Sequence, residues 1–391
     1  IRVCGRFYSI ATTYDKTLLM TREELIDTLT LLKVRRLSSR WVGRMIEEAG
    51  SPAAVFGIPY RTLRSWGVQD EAARAVLARN VPAEVLAEAD FSEKSGIRAV
   101  GYREDDYPAL LKLCTDAPVM LFVRGGVGSM TDRIVLAVVG TRSVTPYGAA
   151  LTAEIIDALA PYNPVIVSGL AQGVDVAAHR AALKNGLDTV GVLGQGLGTP
   201  LYPSDNRDVA RQMCSAEGCG VMTEYCHKQA PLPGLFPVRN RIVAGMARAT
   251  IVVEAKAKAG ALITAELASG YQREVFAVPG RTTDLCSAGC NALIRHNKAV
   301  MLDCPKTVIE ELGLDVLPKS GAASSAQTVA FVEISPQARP VADILSKVEK
   351  LHIDELCAQT GLPPFRLSPL LLDMELDGVV ESLPGKYYGL T

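Results

Sequence analysis

The chain has 391 residues, of which 48% are hydrophobic and 21% are charged. This length allows two or three domains, and the apolar content is sufficient for a sizeable core, which excludes a wholly disordered protein. The 41 basic and 42 acidic side chains give a formal net charge of −1 at pH 7, so any nucleic-acid-binding surface must be a local patch.

The first elements in chain order are helical. Between residues 21 and 90, apolar side chains such as Leu25, Leu29 and Leu32 recur at helical spacing with short loops between the segments. This pattern predicts a small α-helical domain over residues 21–90. A connecting stretch at residues 102–123 is expected to lead from it into a different kind of domain.

Short apolar runs rich in β-branched residues then alternate with helical patterns. The runs are residues 134–139, 165–168, 189–193, 221–224, 250–254 and 275–278. Such alternation predicts an α/β fold with a doubly wound parallel sheet covered by helices on both faces. We expect this domain to span residues 97–312.

After Leu312 the composition shifts to Gly, Ala, Ser and Pro, which predicts a flexible linker over residues 313–335. The remaining residues, 336–391, show three helical patterns followed by a hairpin-like stretch that Pro384 and Gly385 interrupt. This order is typical of a winged helix.

Winged helices commonly bind DNA through their third helix, here expected at residues 364–378. That segment has Arg366 as its base and carries Asp373, Glu375 and Asp377, whose charges would be repelled by phosphates. We therefore predict that the winged helix contacts protein.

Ligands of open α/β sheets bind beyond the carboxyl ends of the strands, and two of these ends carry small residues. The sequence GTRS follows the first run, where backbone amides and a guanidinium suit a phosphate. The sequence SGLAQG ends the second run, where small residues allow a ligand to approach closely. The candidate binding residues are Gly140, Thr141, Arg142, Ser168, Gly169, Ala171, Gln172 and Gly173. Tight turning without a ligand would explain the same glycines.

A further segment, FPVRNR, places an aromatic ring beside two arginines and an amide, just before a predicted helix. Backbone phosphates and a stacked base could both be bound there. Two lysines and a glycine after the fifth run add to the same edge of the sheet. The candidate residues are Phe236, Arg239, Asn240, Arg241, Lys256, Lys258 and Gly260. Alternatively, the ring packs as a hydrophobic staple and the arginines form ion pairs.

Groups with a possible catalytic role are Glu224 and Glu254 at strand ends, and Asp175 and His179 one helical turn apart. The last two are spaced as an i,i+4 helix pair, and no GxSxG motif occurs. We therefore predict a protein that is not an enzyme. A Rossmann-like nucleotide-processing enzyme related to the lysine-decarboxylase-like family, using either glutamate, is the alternative, and an interaction scaffold with ligand-free loops is a third interpretation.

Cofactors, metals and membranes have no support in the sequence. The motifs GxGxxG and GxxxxGK[ST] are absent, and the spacing of Cys214, Cys219, Cys226 and His227 does not match a metal-binding knuckle. The nine cysteines contain no CxxC pair, and no signal-peptide pattern or membrane-length apolar run occurs. We expect no cofactor, no metal ion, no membrane contact and a cytoplasmic location.

The motifs of the core domain, taken together, resemble the DNA-processing protein A family, also called DprA or Smf. They occupy residues 139–148, 168–183, 192–203, 236–255, 261–265, 275–280 and 289–294. The resemblance implies an extended Rossmann-like core that holds and protects single-stranded DNA. It also implies that the protein helps load a RecA-type recombinase during natural transformation and DNA recombination.

The same resemblance implies further details. Arg142, the turn at residues 168–173, and Phe236, Arg239 and Arg241 would line the DNA pocket, and the protein would be a homodimer through its core domain. The N-terminal region resembles the SAM-like or helix-hairpin-helix-like domain that often precedes this core. Residues 336–391 resemble the winged helix of the family.

Overall fold

The computed structural model describes residues 20–314 except 129, and residues 338–345, 351–376, 380–383 and 387–390. The chain divides into two compact units between residues 321 and 322. Most of the predicted linker, residues 313–335, lies outside the described residues. In the described ranges, no helix is both long and apolar enough to cross a membrane.

The N-terminal region is helical, as its spacing predicts. Its helices are α1 (Arg22–Leu32), α2 (Ser39–Ala49), α3 (Pro52–Val55), α4 (Tyr60–Ser65), α5 (Asp70–Ala78) and α6 (Ala83–Lys94). A capping box starts α1, because Thr21 Oγ1 accepts from the Glu24 amide at 3.2 Å and the Glu24 carboxylate accepts from the Thr21 amide at 2.9 Å. Leu31, Met45 and Leu63 fill the interior. The SAM-like character of this region stays a prediction.

A sheet of nine strands forms the centre of the larger unit. The strands are β1 (Arg98–Gly101), β2 (Met120–Gly125), β3 (Val135–Val139), β4 (Val165–Ser168), β5 (Thr189–Val192), β6 (Gly220–Thr223), β7 (Ala249–Val252), β8 (Glu274–Ala277) and β9 (Val300–Met301). Their order is β1-β2-β6-β5-β4-β3-β7-β8-β9; β2 runs antiparallel to both of its neighbours, β1 and β6, and all other neighbouring pairs are parallel. The predicted parallel, doubly wound sheet is confirmed.

Helices cover both faces of this sheet. They are α7 (Ala109–Lys112), α8 (Pro146–Leu159), α9 (Val174–Lys184), α10 (Arg207–Ser215), α11 (Leu235–Met246), α12 (Gly260–Gly270), α13 (Ala288–Arg295) and α14 (Lys306–Glu311). Along β3, Val135 and Val139 belong to the core cluster that includes α11 and α12, whereas Leu136 and Val138 belong to the cluster that includes α8 and α9. Burial on both faces explains why the strand is apolar at every position.

The interpretation of residues 102–123 as a plain connection was wrong. That stretch contains α7 and most of β2, which pairs antiparallel with β6. Residues 119–123 are continuously apolar because both faces of β2 are buried. On one face, Leu121 belongs to the core cluster of the sheet. On the other face, Phe122 belongs to the cluster that contains Leu29 of α1 and Val85 of α6. The N-terminal helices therefore cover one end of the sheet.

A polar contact accompanies this packing. Glu88 of α6 is buried, and its carboxylate accepts from the His227 amide at 2.9 Å and lies 2.6 Å from His227 Nδ1. The imidazole stacks on Phe91 with ring centres 4.2 Å apart. The loop after β6 is thereby attached to the helical region.

The connectivity creates a switch point beside β3. The chain passes from β3 through β4 and β5 to β6 on one side, and β7 then adds on the other side of β3. Loops that leave β3 and β7 at their carboxyl ends therefore diverge to opposite faces. Such a divergence opens the crevice in which open α/β sheets bind ligands.

The smaller unit is a winged helix, as its sequence predicts. Its elements are α15 (Arg339–Leu345), β10 (Leu351–His352), α16 (Ile353–Thr360), α17 (Pro364–Leu376), β11 (Val380–Leu383) and β12 (Tyr387–Leu390). The strands form an antiparallel sheet in the order β10-β12-β11. Pro384, Gly385 and Asp377, which the sequence analysis singled out, lie outside the described residues.

A buried histidine joins α9 to the sheet and makes stability depend on pH. His179 Nδ1 lies 2.7 Å from Thr189 Oγ1, and burial lowers the pKa of His179 from 6.5 to about 3, with a smaller contribution from the charge of Arg239. The unfolded chain takes up this proton below about pH 6.5, whereas the folded chain does not. The stability that neutral His179 contributes is therefore fully present above that pH. Below it, the free energy of unfolding falls by about 1.4 kcal/mol per pH unit.

Urea denaturation at several pH values between about 7 and 5 measures this effect. We expect the free energy of unfolding to fall less steeply with pH in His179→Asn than in the parent, because the amide does not titrate. His296→Asn, which changes an exposed histidine far from this contact in sequence, is the matched control variant. Equal slopes in His179→Asn and the parent would contradict the assignment.

Candidate nucleic-acid interface

A cavity of about 440 Å³ opens at the carboxyl end of the sheet, at the switch point. It is formed by the turns after β3 and β4, the first turns of α11 and α12, and the ring of Tyr202. The sequence-predicted residues in its wall are Gly140, Thr141, Arg142, Gly169, Ala171, Phe236, Arg239, Asn240 and Gly260. The other wall residues are Val139, Asp175, Tyr202, Pro233, Pro237, Val243, Ala259, Ala261, Ile263 and Thr264.

The turn after β3 is held by backbone contacts and leaves one charged side chain exposed. The Thr141 amide donates to the Glu254 carbonyl at 2.7 Å, and the Ser143 amide donates to Thr141 Oγ1 at 3.2 Å. Arg142 is exposed, with its Cζ 5.6 Å from the ring centre of Phe236. This distance allows a cation–π contact and keeps the guanidinium at the mouth of the cavity.

The turn after β4 is internally bonded, which the sequence did not indicate. Asp175 is buried and accepts from the amides of Gly169 at 3.1 Å and Ala171 at 3.3 Å. Arg239 Nη1 donates to the Gly169 carbonyl at 2.6 Å and also to the Val192 carbonyl. These amides belong to residues predicted to bind the ligand, but they are bonded to a carboxylate of the protein.

The expected i,i+4 pair between Asp175 and His179 is not formed. The carboxylate bonds to the turn amides, and the imidazole bonds to Thr189 on β5. Both side chains point into the fold because they lie on the face of α9 that packs against the sheet. A buried polar group needs a hydrogen-bond partner, and each side chain finds one within the fold.

Arg239 is a buried cation beneath the cavity. The residue is 4% exposed, and burial lowers its pKa to about 10, while the charge of Asp175 raises it and that of Arg142 lowers it. Burial also raises the pKa of Asp175, and Arg239 opposes that shift. At neutral pH the Arg239 guanidinium keeps its charge, and Arg142 is the exposed cation of the wall.

The segment that contains Phe236 lies inside α11, which corrects its placement before the helix. Pro237 is tolerated there because the first four amides of a helix have no intrahelical acceptor. Phe236 packs on Gly194, where a Cβ would lie 2.9 Å from Phe236 Cδ1. The ring of Tyr202 is centred 5.7 Å from that of Phe236 at an angle of 40°.

Several predicted residues lie outside the cavity wall. Ser168 is fully buried and donates to the Val138 carbonyl at 2.6 Å. Arg241 is paired with Glu224, and both side chains are largely buried. Gln172 donates to Asp205 at 2.8 Å.

The remaining predicted residues lie near the wall without lining it. Lys256 and Lys258 are exposed in the turn that precedes α12. Gly173 lies behind the two turns with a φ of +82°, a conformation that suits glycine. Of the wall residues, sequence reasoning missed Tyr202, although an aromatic side chain after a glycine-rich strand end was a usable signal.

Within the described part of the chain, no group of three or more His, Cys, Asp or Glu side chains is arranged to hold a metal ion. The cavity wall presents charged, aromatic and amide groups. An exposed guanidinium, two rings and the uncapped start of α12 suit a ligand that is anionic and has a flat face.

A doubly wound sheet with such a cavity at its switch point, in a chain that also carries a winged helix, defines a Rossmann-like α/β protein with a winged helix domain. The chain belongs to the DNA recombination-mediator protein A family, whose sequence profile matches residues 98–313. The profile of the DprA winged helix domain matches residues 322–386.

Individual relatives support this membership. The DNA processing protein DprA of Streptococcus pneumoniae is 44% identical over 193 residues, covering 49% of this chain and 67% of that protein. Its X-ray structure covers 75% of this chain and 99% of that one, with 30% identity and a TM-score of 0.61. Protein Smf of Escherichia coli is 34% identical over 290 residues, covering 73% of this chain and 75% of that protein.

A solved structure of DNA processing protein A from Helicobacter pylori is also similar. It is described as having a unique single-stranded DNA binding mode. It covers 53% of this chain and 93% of that one, with 31% identity and a TM-score of 0.48.

Gly173 offers a test of how tightly the two turns are packed. A Cβ there would lie 2.1 Å from the Thr141 carbonyl oxygen, and the positive φ disfavours any other residue. We expect Gly173→Ala to lower the free energy of unfolding by about 1–3 kcal/mol from the backbone alone, and by more if the turn cannot shift.

Denaturant titration of Gly173→Ala against Gly270→Ala measures this cost. No atom lies within 4 Å of a Cβ built at Gly270, at the end of α12, so that variant should be neutral or slightly stabilised. Equal stability of the two variants would show that the turns accommodate a side chain.

Proposed function

We propose that this recombination-mediator family member binds single-stranded DNA in the cavity, without catalysis. The observation that carries the proposal is the exposed guanidinium of Arg142 beside the rings of Phe236 and Tyr202. A phosphate meets a cation there while a neighbouring base meets an aromatic face, which is how sequence-tolerant single-strand binders work.

Electrostatics favours an anionic ligand at this place despite the net charge of −1 for the whole chain. The charged residues of the wall are Arg142, Arg239 and Asp175. Two of these three residues are arginines and one is an aspartate, so the wall is net positive, and Arg142 is the arginine that is exposed. Stacking further requires unpaired bases, which favours single strands over duplex.

The alternative of a nucleotide-processing enzyme is less well supported. Neither of its acid-base candidates lines the cavity. Glu224 is paired with Arg241. Glu254 accepts from the Thr145 amide at 3.0 Å and from its hydroxyl, and a Cβ at Gly148 would lie 2.4 Å from Glu254 Cδ. Both carboxylates are thus engaged in holding the fold. Nucleotide turnover that is lost in Glu254→Gln would support the enzyme instead.

Two finer parts of the function rest on family membership: loading of a RecA-type recombinase and a homodimer through the core domain. A protein contact by the winged helix rests on the acidic side chains in residues 364–378, and a cytoplasmic location rests on the cysteine pattern of the sequence. In a dimer, two cavities on one strand would raise the overall affinity through multivalency. Light scattering that shows monomer at all concentrations would count against the dimer.

The central prediction concerns Arg142→Ala. Fluorescence anisotropy with labelled oligothymidine should show weaker binding, because one phosphate contact is lost. The slope of log K against log salt should become shallower by about 0.7 for that contact. Duplex of the same length should bind less well than the single strand.

Arg211→Ala is the matched control, since that arginine is 71% exposed on α10 and does not line the cavity. It should bind like the parent. Arg239 is less suitable for the experiment, because its removal leaves the carbonyls of Gly169 and Val192 without the donor that it supplies. Binding that is indifferent to Arg142 would mean that the cavity is misassigned.

A further inference from the structure

The two rings at the cavity differ in what they can offer to a base. Phe236 is partly buried and already has neighbours on several sides: Gly194 behind it, Arg142 over its ring and Tyr202 tilted against it. Tyr202 is 50% exposed. The ring with free surface is therefore that of Tyr202, and Phe236 supports it.

A buried amide sets the position of Tyr202. Gln195 is 1% exposed, and its Oε1 accepts from the Tyr202 amide at 2.9 Å. Its Nε2 donates to Thr199 Oγ1 at 2.8 Å and to the Pro200 carbonyl at 2.9 Å. One side chain thus bonds to three points of the loop that ends at the ring.

The loop is also packed closely on its neighbour. The Gly196 amide donates to the Gln229 carbonyl at 2.8 Å, and a Cβ at Gly196 would lie 2.0 Å from the Cys226 carbonyl oxygen. A loop held in this way loses little freedom when a ligand binds, so the ring is preorganised for stacking.

We propose that Tyr202 is the main base-stacking residue of the site and that Gln195 is its positioning residue. The ligand class is an unpaired base of single-stranded DNA, contacted through its face and not its edge. The inference rests on the proposed function, because it assigns a role within that same cavity.

The test compares two ligands, oligothymidine and an abasic deoxyribose-phosphate oligomer of equal length. Tyr202→Ala should bind oligothymidine about 5- to 100-fold more weakly, the range found for loss of one stacked base. It should bind the abasic oligomer like the parent, since that ligand has no base to stack. Tyr202→Phe keeps the ring and should stay within about twofold of the parent on both ligands.

The role of Gln195 is tested by a double-mutant cycle. Gln195→Leu should weaken binding to oligothymidine but should have little further effect in the Tyr202→Ala background, because both changes remove the same contact. Circular dichroism checks that the variants are folded. If Gln195→Leu does not fold, Gln195→Glu keeps the acceptor for the Tyr202 amide, loses both donors and takes its place in the cycle.

Tyr202→Trp supplies an independent signal. Its extra fluorescence should be quenched by oligothymidine and not by the abasic oligomer, measured against the parent, whose Trp41 and Trp66 lie in the N-terminal helical region.

The outcomes separate the two proposals. If Arg142→Ala weakens binding but Tyr202→Ala does not, the stacking role is overturned and the proposed function stands. Equal losses on both ligands would also overturn stacking, and additive effects in the cycle would overturn the role of Gln195. If the parent binds neither ligand, the proposed function itself fails.

Discussion

The buried pair of Asp175 and Arg239 is the constraint on which the site depends. The carboxylate holds the amides of the turn after β4, and the guanidinium, projecting from α11, holds the carbonyls at the ends of β4 and β5. Two strand ends and one helix are thereby joined by charge-assisted hydrogen bonds. Removing either side chain would leave buried backbone groups of these strand ends without their hydrogen-bond partner.

Three arginines that were equivalent candidates in the sequence have different roles in the structure. Arg142 is exposed at the cavity, Arg239 is buried beneath it, and Arg241 is paired with Glu224 away from its wall. Arg239 and Arg241 are two residues apart, about 200° around α11, and therefore face different surroundings. The two arginines on α11 thus have structural roles, whereas the exposed positive charge at the cavity comes from Arg142 in the turn after β3.

Much of the architecture could be predicted because local pattern and burial agree. Strands β3 to β8 consist largely of successive apolar residues, and the helices of the core show regular spacing, so both were found, whereas the short strands β1 and β9 were not. Strand β2, which lies between β1 and β6, was missed because Pro118 and short helical turns precede it, and because its pairing partners are distant in sequence. At the site, the turns were located correctly, but the bonding of Gly169 and Ala171 to Asp175 could not be read from spacing. Tyr202 was missed because its place depends on the hydrogen bonds of Gln195, which no periodicity reveals.

The packing of α1 and α6 on the sheet affects how the larger unit unfolds. Leu29 and Val85 share one hydrophobic cluster with Phe122, and Glu88 is bonded to His227 across the same boundary. Detaching the helices would expose that cluster to water and leave a buried carboxylate without its partner. Two regions that differ sharply in composition therefore form a single cooperative unit, in which melting of either one removes support from the other.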